Sequence, residues 1–253
     1  MRKLKKTTWK VIGNLPTNLG KRFIKLPVLE IIYHGLGDSL AWSTLPERYG
    51  SLCLHESYKD LIRSNPEIYD LIWKPNPYFL GFSNKVPNIG NRFSKTKRCF
   101  PQSVTWQLER LHGFIPKSKY PKLYLDLKYA PNGMTIIDLN CRRNFLYFKS
   151  IINVLKDNII ESLKDEKNVY YISLARNQND LNTVFKGIYR KLEIGSLLEY
   201  INIIHNCKRV VASYSGISVL TSAIKQDRTT PEADVFIQRR DSFYFENINY
   251  HLI

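Results

Sequence analysis

The sequence predicts an α/β protein built from two parallel-sheet halves, and three observations support this prediction. Apolar strand-like runs alternate with helical patterns along most of the chain, which is typical of parallel sheets with right-handed crossovers. A breaker-rich turn, KYAPNG at residues 128–133, separates two such series. With 253 residues, of which 43% are hydrophobic, the chain can bury a sizeable core. We therefore expect a basic arm over residues 1–27 and two domains over residues 28–130 and 131–253.

The first half opens with VLEIIYHG (28–35), which is predicted to be a buried strand, and continues with DSLAWSTLPERYG (38–50), predicted to be one helix. SLCLHES (51–57) is a second short strand. The aromatic, Pro- and Gly-rich section 74–100 has no helical or strand period, so we expect loops at a binding face. SVTWQLERLHGF (103–114) is predicted to be helical.

The second half repeats the alternation of strands and helices. Strands are predicted in MTIIDLN (134–140), NVYYISLA (168–175) and KRVVASYSG (208–216). Helices are predicted in FLYFKSIINVLKDNIIESLKD (145–165), SLLEYINIIHNC (196–207) and GISVLTSAIK (216–225). The last residues, DSFYFENINYHLI (241–253), are a candidate for crossing back to the first domain.

The charge of the chain is strongly positive and unevenly distributed. The net charge is +16, and residues 1–130 hold 22 Lys and Arg against 9 Asp and Glu. Residues 131–253 hold 16 against 13. This asymmetry indicates a polyanionic partner for the first half, such as nucleic acid, an anionic membrane or a phosphorylated glycan. The alternative is a basic tail that serves only solubility.

Several protein classes are disfavoured by what the sequence lacks. No apolar run is long enough for a spanning helix, and no secretory signal is recognised. The four cysteines lie far apart without CxxC pairs (Cys53, Cys99, Cys141 and Cys207), which favours reduced cytoplasmic thiols. The absence of a GxxxxGK[ST] loop and of a Gly-x-Ser-x-Gly elbow argues against nucleotide phosphatases and α/β hydrolases. The absence of an Asp-x-Asp motif disfavours a metal-dependent GT-A transferase.

The stretch HGLGDS places a carboxylate, Asp38, between a predicted strand and a predicted helix. Gly35 and Gly37 allow a tight turn and the close approach of a ligand. Asp38 would lie at the helix N-terminus, where the macrodipole favours its ionised form. At the carboxyl end of a parallel strand, this carboxylate is placed to accept a proton. The alternative role is a simple N-cap.

Two stretches together resemble the heptosyltransferase family of glycosyltransferases. The first is the GLGD turn with the following TLPERYG, and the second is IGSLLEYINIIHNCKRVVASYSGISVLTSAI. The two stretches match the family in order, spacing and placement, but they cover only about a fifth of the chain. The resemblance implies the GT-B fold, which has two Rossmann-type parallel-sheet domains facing a cleft. It also implies an inverting, metal-independent transferase without a cofactor, whose substrate is a nucleotide sugar.

The resemblance also implies roles for individual residues. Asp38 would be the catalytic base, and Glu199 would bind a ribose hydroxyl of the donor. The diphosphate would bind the turn before the last predicted helix and arginines at strand carboxyl ends. The predicted donor-binding residues are Gly37, Arg142, Arg143, Arg176, Ser196, Glu199, Ser213, Tyr214, Ser215 and Gly216. Helix capping by the serines and solvated surface arginines are the plainer alternatives.

The sequence departs from the family pattern at two positions of the donor motif. Tyr214 stands where an aspartate is usual, and Val219 stands where a histidine is common. Because the altered position normally contacts the sugar, the resemblance does not extend to heptose specificity.

The acceptor remains open between two polyanions, and the charge of the first half slightly favours DNA with a hydroxylated base, as in phage DNA-modifying glycosyltransferases. The predicted acceptor-binding residues are His34, Lys85, Arg92, Lys95, Lys97 and Arg98, of which the last five lie in a basic loop among aromatics. The alternative acceptor is a phosphorylated lipopolysaccharide core. A third interpretation is a non-catalytic nucleic-acid-binding protein. We expect a cytoplasmic monomer, either in the host cytoplasm if phage-encoded or peripheral at the inner membrane if the acceptor is a glycolipid.

Overall fold

The computed structural model describes two parallel sheets that are linked by helices. The described residues are 26–31, 35–62, 66–89, 103–141, 145–174, 180–226, 228–238 and 244–253. The first sheet consists of β1 (Val28–Leu29), β2 (Leu52–His55) and β3 (Phe79–Ser83). The second consists of β4 (Thr135–Asp138), β5 (Val169–Leu174), β6 (Arg190–Ile194), β7 (Arg209–Ser213), β8 (Glu232–Ile237) and β9 (Asn249–Leu252). The prediction of an α/β fold with parallel sheets is confirmed.

Helices connect and cover both sheets. They are α1 (Leu36–Trp42), α2 (Leu45–Arg48), α3 (Ser57–Ile62), α4 (Pro66–Ile68), α5 (Val104–Leu111), α6 (Phe145–Ser150), α7 (Ile152–Ser162), α8 (Leu197–Asn206) and α9 (Gly216–Ile224). A π-helical turn (Tyr69–Trp73) continues α4, and a 3-10 turn (Leu181–Phe185) precedes β6. In the part of the chain that the structure describes, no helix is both long and apolar enough to cross a membrane.

The second sheet has a doubly wound topology. Its strand order is β6-β5-β4-β7-β8-β9, and all neighbouring strands are parallel. The chain therefore starts in the middle at β4, builds outward to β6 and returns to the middle at β7. Ligands of such sheets bind outside the carboxyl ends of the two strands where the order reverses. Here these ends are Asp138 of β4 and Ser213 of β7, so the topology marks this edge of the sheet for a site.

Neighbouring residues of the central strands pack into two separate cores, because side chains alternate between the two faces of a strand. Ile137 and Val211 face a core with the buried apolar residues of α6 and α7. Ile136 and Val210 face the other core, which contains α8 and α9. This second core does not end at the sheet. It continues without interruption into the buried residues of the first half, including Trp42.

Helix α9 lies at the centre of this shared core. All its residues from Ile217 to Ile224 are buried, which is expected of a helix covered on every side. One side packs on the second sheet and another on α1. The first half of the protein is therefore attached to the second through a buried helix pair.

The contact between α1 and α9 depends on two glycines. A Cβ atom built on Gly37 would lie 3.2 Å from the Cα of Gly216 and 3.2 Å from a methyl group of Val219. A Cβ atom built on Gly216 would lie 3.3 Å from the nitrogen of Gly37. Both distances are shorter than ordinary van der Waals contact. The first turns of the two helices can therefore touch only because neither glycine has a side chain.

Two of the helices predicted as continuous are interrupted. The segment 38–50 contributes to α1 and α2 because Pro46, in the first turn of α2, has no N–H with which to continue α1. The hydroxyls of Ser43 and Thr44 also bond back to the carbonyls of Leu40 (2.7 Å) and Ala41 (3.2 Å). Such bonds offer the backbone an alternative to the helix. The segment 145–165 likewise splits into α6 and α7 at Ile151.

The prediction of loops over 74–100 is wrong for residues 79–83, which form β3. Leu52 of β2 pairs with Phe79, whereas Leu54 pairs with Phe82, so β3 carries an extra residue. Gly81, with φ of +97°, lies within this bulge. Because an inserted residue reverses the inside-outside alternation, the strand has no continuous period in the sequence.

The last segment of the chain contacts both halves of the protein. Tyr244 forms an isolated bridge with Ser103, and Glu246 pairs with Lys119. Further on, β9 completes the second sheet beside β8. Residues 114–134 connect the two sheets without helix or strand, and the predicted domain boundary at residue 130 falls within this connection.

Replacing Gly37 with Val should destabilise the protein by about 2–3 kcal/mol, because the added atoms must push α1 and α9 apart. The matched control is Gly195→Val, since a Cβ atom at Gly195 meets only the flexible Glu199 carboxylate at 3.6 Å. Urea unfolding followed by circular dichroism measures both variants. Equal stability of the two variants would contradict the tight packing of Gly37.

Candidate active site

The structure brings the two sequence motifs together, although they lie far apart in the chain. The GLGD turn begins α1, the SYSG turn begins α9, and the first turns of these helices touch at Gly37 and Gly216. Both turns follow the carboxyl ends of parallel strands, β1 and β7. The N-terminal ends of two helices thus meet at one place, and each end presents the positive end of its macrodipole.

Asp38 lies in the first turn of α1 and is half-buried. Its Oδ2 atom lies 3.1 Å from the position that a Cβ atom of Gly35 would occupy, so the carboxylate folds over the preceding turn. Gly35 is the N-cap residue, and as a glycine it supplies no side-chain cap bond. Asp38 therefore occupies the predicted position at the start of the helix, without acting as the N-cap itself.

A buried hydrogen-bonded group supports the turn that holds Asp38. The neighbouring Ser39 hydroxyl bonds to the Tyr58 hydroxyl at 3.1 Å, and the Trp73 indole donates to the same oxygen at 3.0 Å. Burial raises the pKa of Tyr58, and the nearby Asp38 charge adds to this effect. Tyr58 therefore stays neutral and fixes the buried side of α1.

Lys85 is the one predicted acceptor-binding residue within the described part of the chain. It follows the carboxyl end of β3, where its backbone N–H donates to the Ser83 hydroxyl at 3.2 Å, and its side chain is exposed. Because β1 and β3 are parallel to the strand between them, Lys85 lies at the same edge of the first sheet as the GLGD turn. His34, Arg92, Lys95, Lys97 and Arg98 lie outside the described residues.

Ser196 and Glu199 form a capping box at the start of α8. The Ser196 hydroxyl accepts from the Glu199 N–H at 3.1 Å, and the Glu199 carboxylate accepts from the Gly195 N–H at 2.8 Å. Glu67 of α4 adds a carboxylate from the first half, which accepts from the Leu197 N–H at 2.9 Å. Ser196 and Glu199 thus act as caps of α8. The Glu199 side chain is exposed, and its second oxygen can make further contacts.

The residues of the SYSG turn differ in the hydrogen bonds that they make. Ser213 is buried and donates its hydroxyl proton to the Leu139 carbonyl at 2.9 Å, which ties the end of β7 to the end of β4. The Tyr214 N–H donates to the Phe236 carbonyl oxygen of β8 at 2.9 Å. Ser215 is the N-cap of α9 but makes no side-chain cap bond. Of the two serines in this turn, Ser215 is therefore the one that lies at the N-terminal end of α9 without a structural side-chain bond.

Asp138 was missed by sequence reasoning, although it lies at the carboxyl end of the central strand β4. It is 3% exposed and accepts three hydrogen bonds, from the Tyr200 hydroxyl (2.6 Å), the Asn140 N–H (2.9 Å) and the Asn182 amide (3.2 Å). Burial raises the pKa of Asp138, and these three bonds partly oppose the rise. The sequence signal was an acidic residue directly after the apolar run of MTIIDLN.

Asn182 completes a network that joins three elements at this edge. Its amide also donates to the Ile172 carbonyl of β5 at 2.7 Å, and its oxygen accepts from the Leu139 N–H at 2.7 Å. Tyr200 belongs to α8, so Asp138 links the end of β4 to the helix that carries Glu199. Arg142 and Arg143, which follow this strand, and Arg176, which follows β5, lie outside the described residues.

Comparisons with known proteins give matches at the level of structure alone. No family model and no curated protein matches the sequence. The iron-containing dodecameric glycosyltransferase TibC from enterotoxigenic E. coli H10407 aligns with 88% of this chain and 62% of its own chain, at 15% identity and a TM-score of 0.52. The structure of the dodecameric iron-containing heptosyltransferase TibC in complex with ADP-D-β-D-heptose aligns with 88% of this chain and 63% of its own chain, at 14% identity and a TM-score of 0.52. The fold is of the GT-B type. The chain spans about 62% of the length of TibC.

The structural likeness confirms the predicted fold. Because the identity is only 15%, it shows nothing about the function of this chain. The E. coli heptosyltransferase WaaC aligns with 89% of this chain at 12% identity, but its TM-score of 0.46 is too low to add to the argument. TibC is described as iron-containing. Among the described residues of this chain, no three His, Cys, Asp or Glu side chains are grouped to hold a metal ion.

The raised pKa of Asp138 predicts a pH-dependent difference in stability between the wild type and Asp138→Asn. A carboxyl group whose pKa is raised by folding stabilises the protein below its ordinary pKa of about 3.9, and this stabilisation is lost as the pH rises through the raised value. Asparagine cannot ionise. The variant should therefore gain stability relative to the wild type as the pH rises from about 4 to about 8, by about 1.4 kcal/mol for each unit of the shift.

Urea unfolding across this pH range measures the difference. The exposed Asp157→Asn serves as the matched control, and its stability should run parallel to the wild type at every pH. A parallel course for Asp138→Asn would contradict the raised pKa.

Proposed function

We propose that this protein is an inverting, metal-independent glycosyltransferase that uses a nucleotide-sugar donor. The observation that supports the proposal is the contact at Gly37 and Gly216, which joins the first turn of α1, where Asp38 lies, to the first turn of α9. A diphosphate suits a helix N-terminus because free N–H groups and the macrodipole both favour anions. A carboxylate beside such a site suits the removal of a proton from an acceptor hydroxyl.

In the proposed reaction, Asp38 takes the proton of the acceptor hydroxyl while the oxygen attacks the anomeric carbon of the sugar. The bond between that carbon and the diphosphate oxygen breaks, and its electron pair leaves with the nucleoside diphosphate. The backbone N–H groups at the start of α9 stabilise the charge that develops on the leaving group. A single displacement of this kind inverts the anomeric configuration.

The proposed donor is a nucleotide sugar other than ADP-heptose. Val219, which stands where the heptosyltransferase family commonly has a histidine, is 1% exposed and packs where a Cβ atom of Gly37 would collide with it. A larger side chain at this position would separate α1 from α9. The close contact of the helices thus supports a small residue here in place of the histidine.

The proposed acceptor is a phosphorylated glycan, in line with the lipopolysaccharide alternative. Within the described part of the first half, several basic residues are already paired with carboxylates. These pairs are Arg48–Glu109, Lys59–Glu56, Lys74–Asp70, Lys119–Glu246 and Lys122–Glu47.

Asp38→Asn should lower kcat by about 10²- to 10⁴-fold, the usual contribution of a general base, and leave the donor Kd within a few-fold. Turnover is measured by release of the nucleoside diphosphate and donor affinity by calorimetry. The matched control is Asp70→Asn, because Asp70 is exposed and, among the described residues, pairs with the neighbouring Lys74. Wild-type turnover in Asp38→Asn would overturn the role of this residue.

The acceptor is tested by mass spectrometry of transfer products. A panel of nucleotide sugars is offered with a phosphorylated core oligosaccharide, with a duplex containing 5-hydroxymethylcytosine and with a plain duplex. We expect a gain of one sugar mass on the oligosaccharide alone, and no gain with Asp38→Asn. A gain on only the hydroxymethylated duplex would overturn the glycan acceptor but not the transferase, and no gain on any acceptor would overturn the transferase itself.

A further inference from the structure

The loop that follows α5 presents an isoleucine to solvent on a rigid support. Ile115 is 82% exposed. A single exposed aliphatic residue is ordinary on a protein surface, so its exposure alone indicates nothing. What distinguishes Ile115 is the number of bonds that hold its backbone in this position and the charge of the side chains around it.

Polar contacts fix the loop on both sides of Ile115. The Arg48 guanidinium donates to the Ile115 carbonyl at 2.6 Å and lies over the Phe114 ring at 5.2 Å. The fully buried Glu109 forms an ion pair with Arg48 at 3.4 Å, and its other oxygen accepts from the Lys117 N–H at 2.6 Å and the Ser118 N–H at 3.3 Å. The apolar tip is therefore preorganised, and its attachment to a partner costs little conformational entropy.

Cationic side chains lie beside the loop that carries this tip. A cavity of about 410 Å³ beside the loop is lined by Arg48, Lys117, Lys119 and Lys122, together with Glu47, Ser118, Tyr120 and Gln226. Glu47 and Glu246 pair with Lys122 and Lys119, but no carboxylate of the described residues pairs with the Lys117 side chain. An aliphatic tip next to lysines matches an anionic bilayer, whose headgroups attract cations and whose acyl region takes up apolar side chains.

We propose that this loop, residues 113–122, docks the protein on the surface of an anionic phospholipid bilayer. Ile115 enters the boundary between headgroups and acyl chains, and Lys117 contacts the lipid phosphates. Nucleic acid would use the lysines but has no complementary surface for an exposed isoleucine, since stacking on bases requires a ring. The observations therefore favour the membrane over a polynucleotide.

The docking surface lies away from the candidate active site and does not depend on the proposed reaction. Ser43, just after α1, bonds to the Lys122 carbonyl at 3.0 Å, and Gln226 of the cavity follows the end of α9. The loop thus adjoins the C-terminal ends of the two helices whose N-terminal ends form the site. Docking leaves the site uncovered, so variants of the loop should keep wild-type donor affinity.

The test is co-sedimentation of the full chain with phosphatidylcholine vesicles that contain or lack about 30% phosphatidylglycerol. We expect binding to the anionic vesicles only. Ile115→Ser should lower the partition coefficient by about 5- to 20-fold through lost apolar burial, and Lys117→Gln should lower it about fivefold, the contribution of one lysine near the surface. The matched controls are Val154→Ser, an exposed aliphatic on α7, and Lys186→Gln, an exposed lysine of the second half; both should stay within twofold of the wild type.

Two further measurements distinguish the bilayer from two other partners, a nucleic acid and a second copy of the chain. Fluorescence anisotropy with a labelled DNA duplex should give the same Kd for wild type and Ile115→Ser, and light scattering should give the same mass for both. Wild-type partitioning of Ile115→Ser overturns the proposal, as does an equal loss in Val154→Ser. A loss of duplex affinity, or of a dimer, without a loss of vesicle binding would instead assign the loop to nucleic acid or to a second copy of the chain.

Discussion

The close packing of α1 on α9 is the constraint on which the rest of the structure depends. Their first turns touch at Gly37 and Gly216, where neither position has room for a Cβ atom at ordinary contact distance. Since α9 is buried along its whole length between the second sheet and α1, separating the two halves would expose apolar surface on both. The same contact determines the candidate active site, because it places the ends of two strand-turn-helix units side by side. The packing of the two halves and the candidate active site therefore depend on the same pair of glycines.

The polar residues of the site are held by a second set of bonds that cross between elements. Asp138 joins β4 to α8 through Tyr200, and Ser213 joins β7 to β4 through the Leu139 carbonyl. Glu67 joins the first half to the start of α8. Each of these groups is bound to a partner that is distant in sequence, so the edge of the sheet is preorganised before any ligand binds. A preorganised site loses less entropy on binding, which suits the recognition of a diphosphate.

The sequence predicted the elements with a clear period and missed those in which the period is broken or weak. The buried strands β4, β5 and β7 and the helices α5, α8 and α9 lie within their predicted segments. Strand β3 was missed because the bulge at Gly81 reverses its alternation. The single predicted helix over residues 38–50 is instead two helices, because Pro46 cannot donate the bond that would continue α1. This interruption was available from the sequence, since the proline stands within the predicted segment.

The sequence by itself determined the α/β class, the two turns and the residues of each turn, because strand and helix periods and glycine turns are local properties of a chain. Only the tertiary structure decided how these residues are used. It made Ser196 and Glu199 a capping pair, buried the Ser213 hydroxyl against β4 and added Asp138, which no motif had marked. The physical reason is that the partner of a polar group, and hence its pKa and availability to a ligand, is set by residues that folding brings from distant parts of the chain.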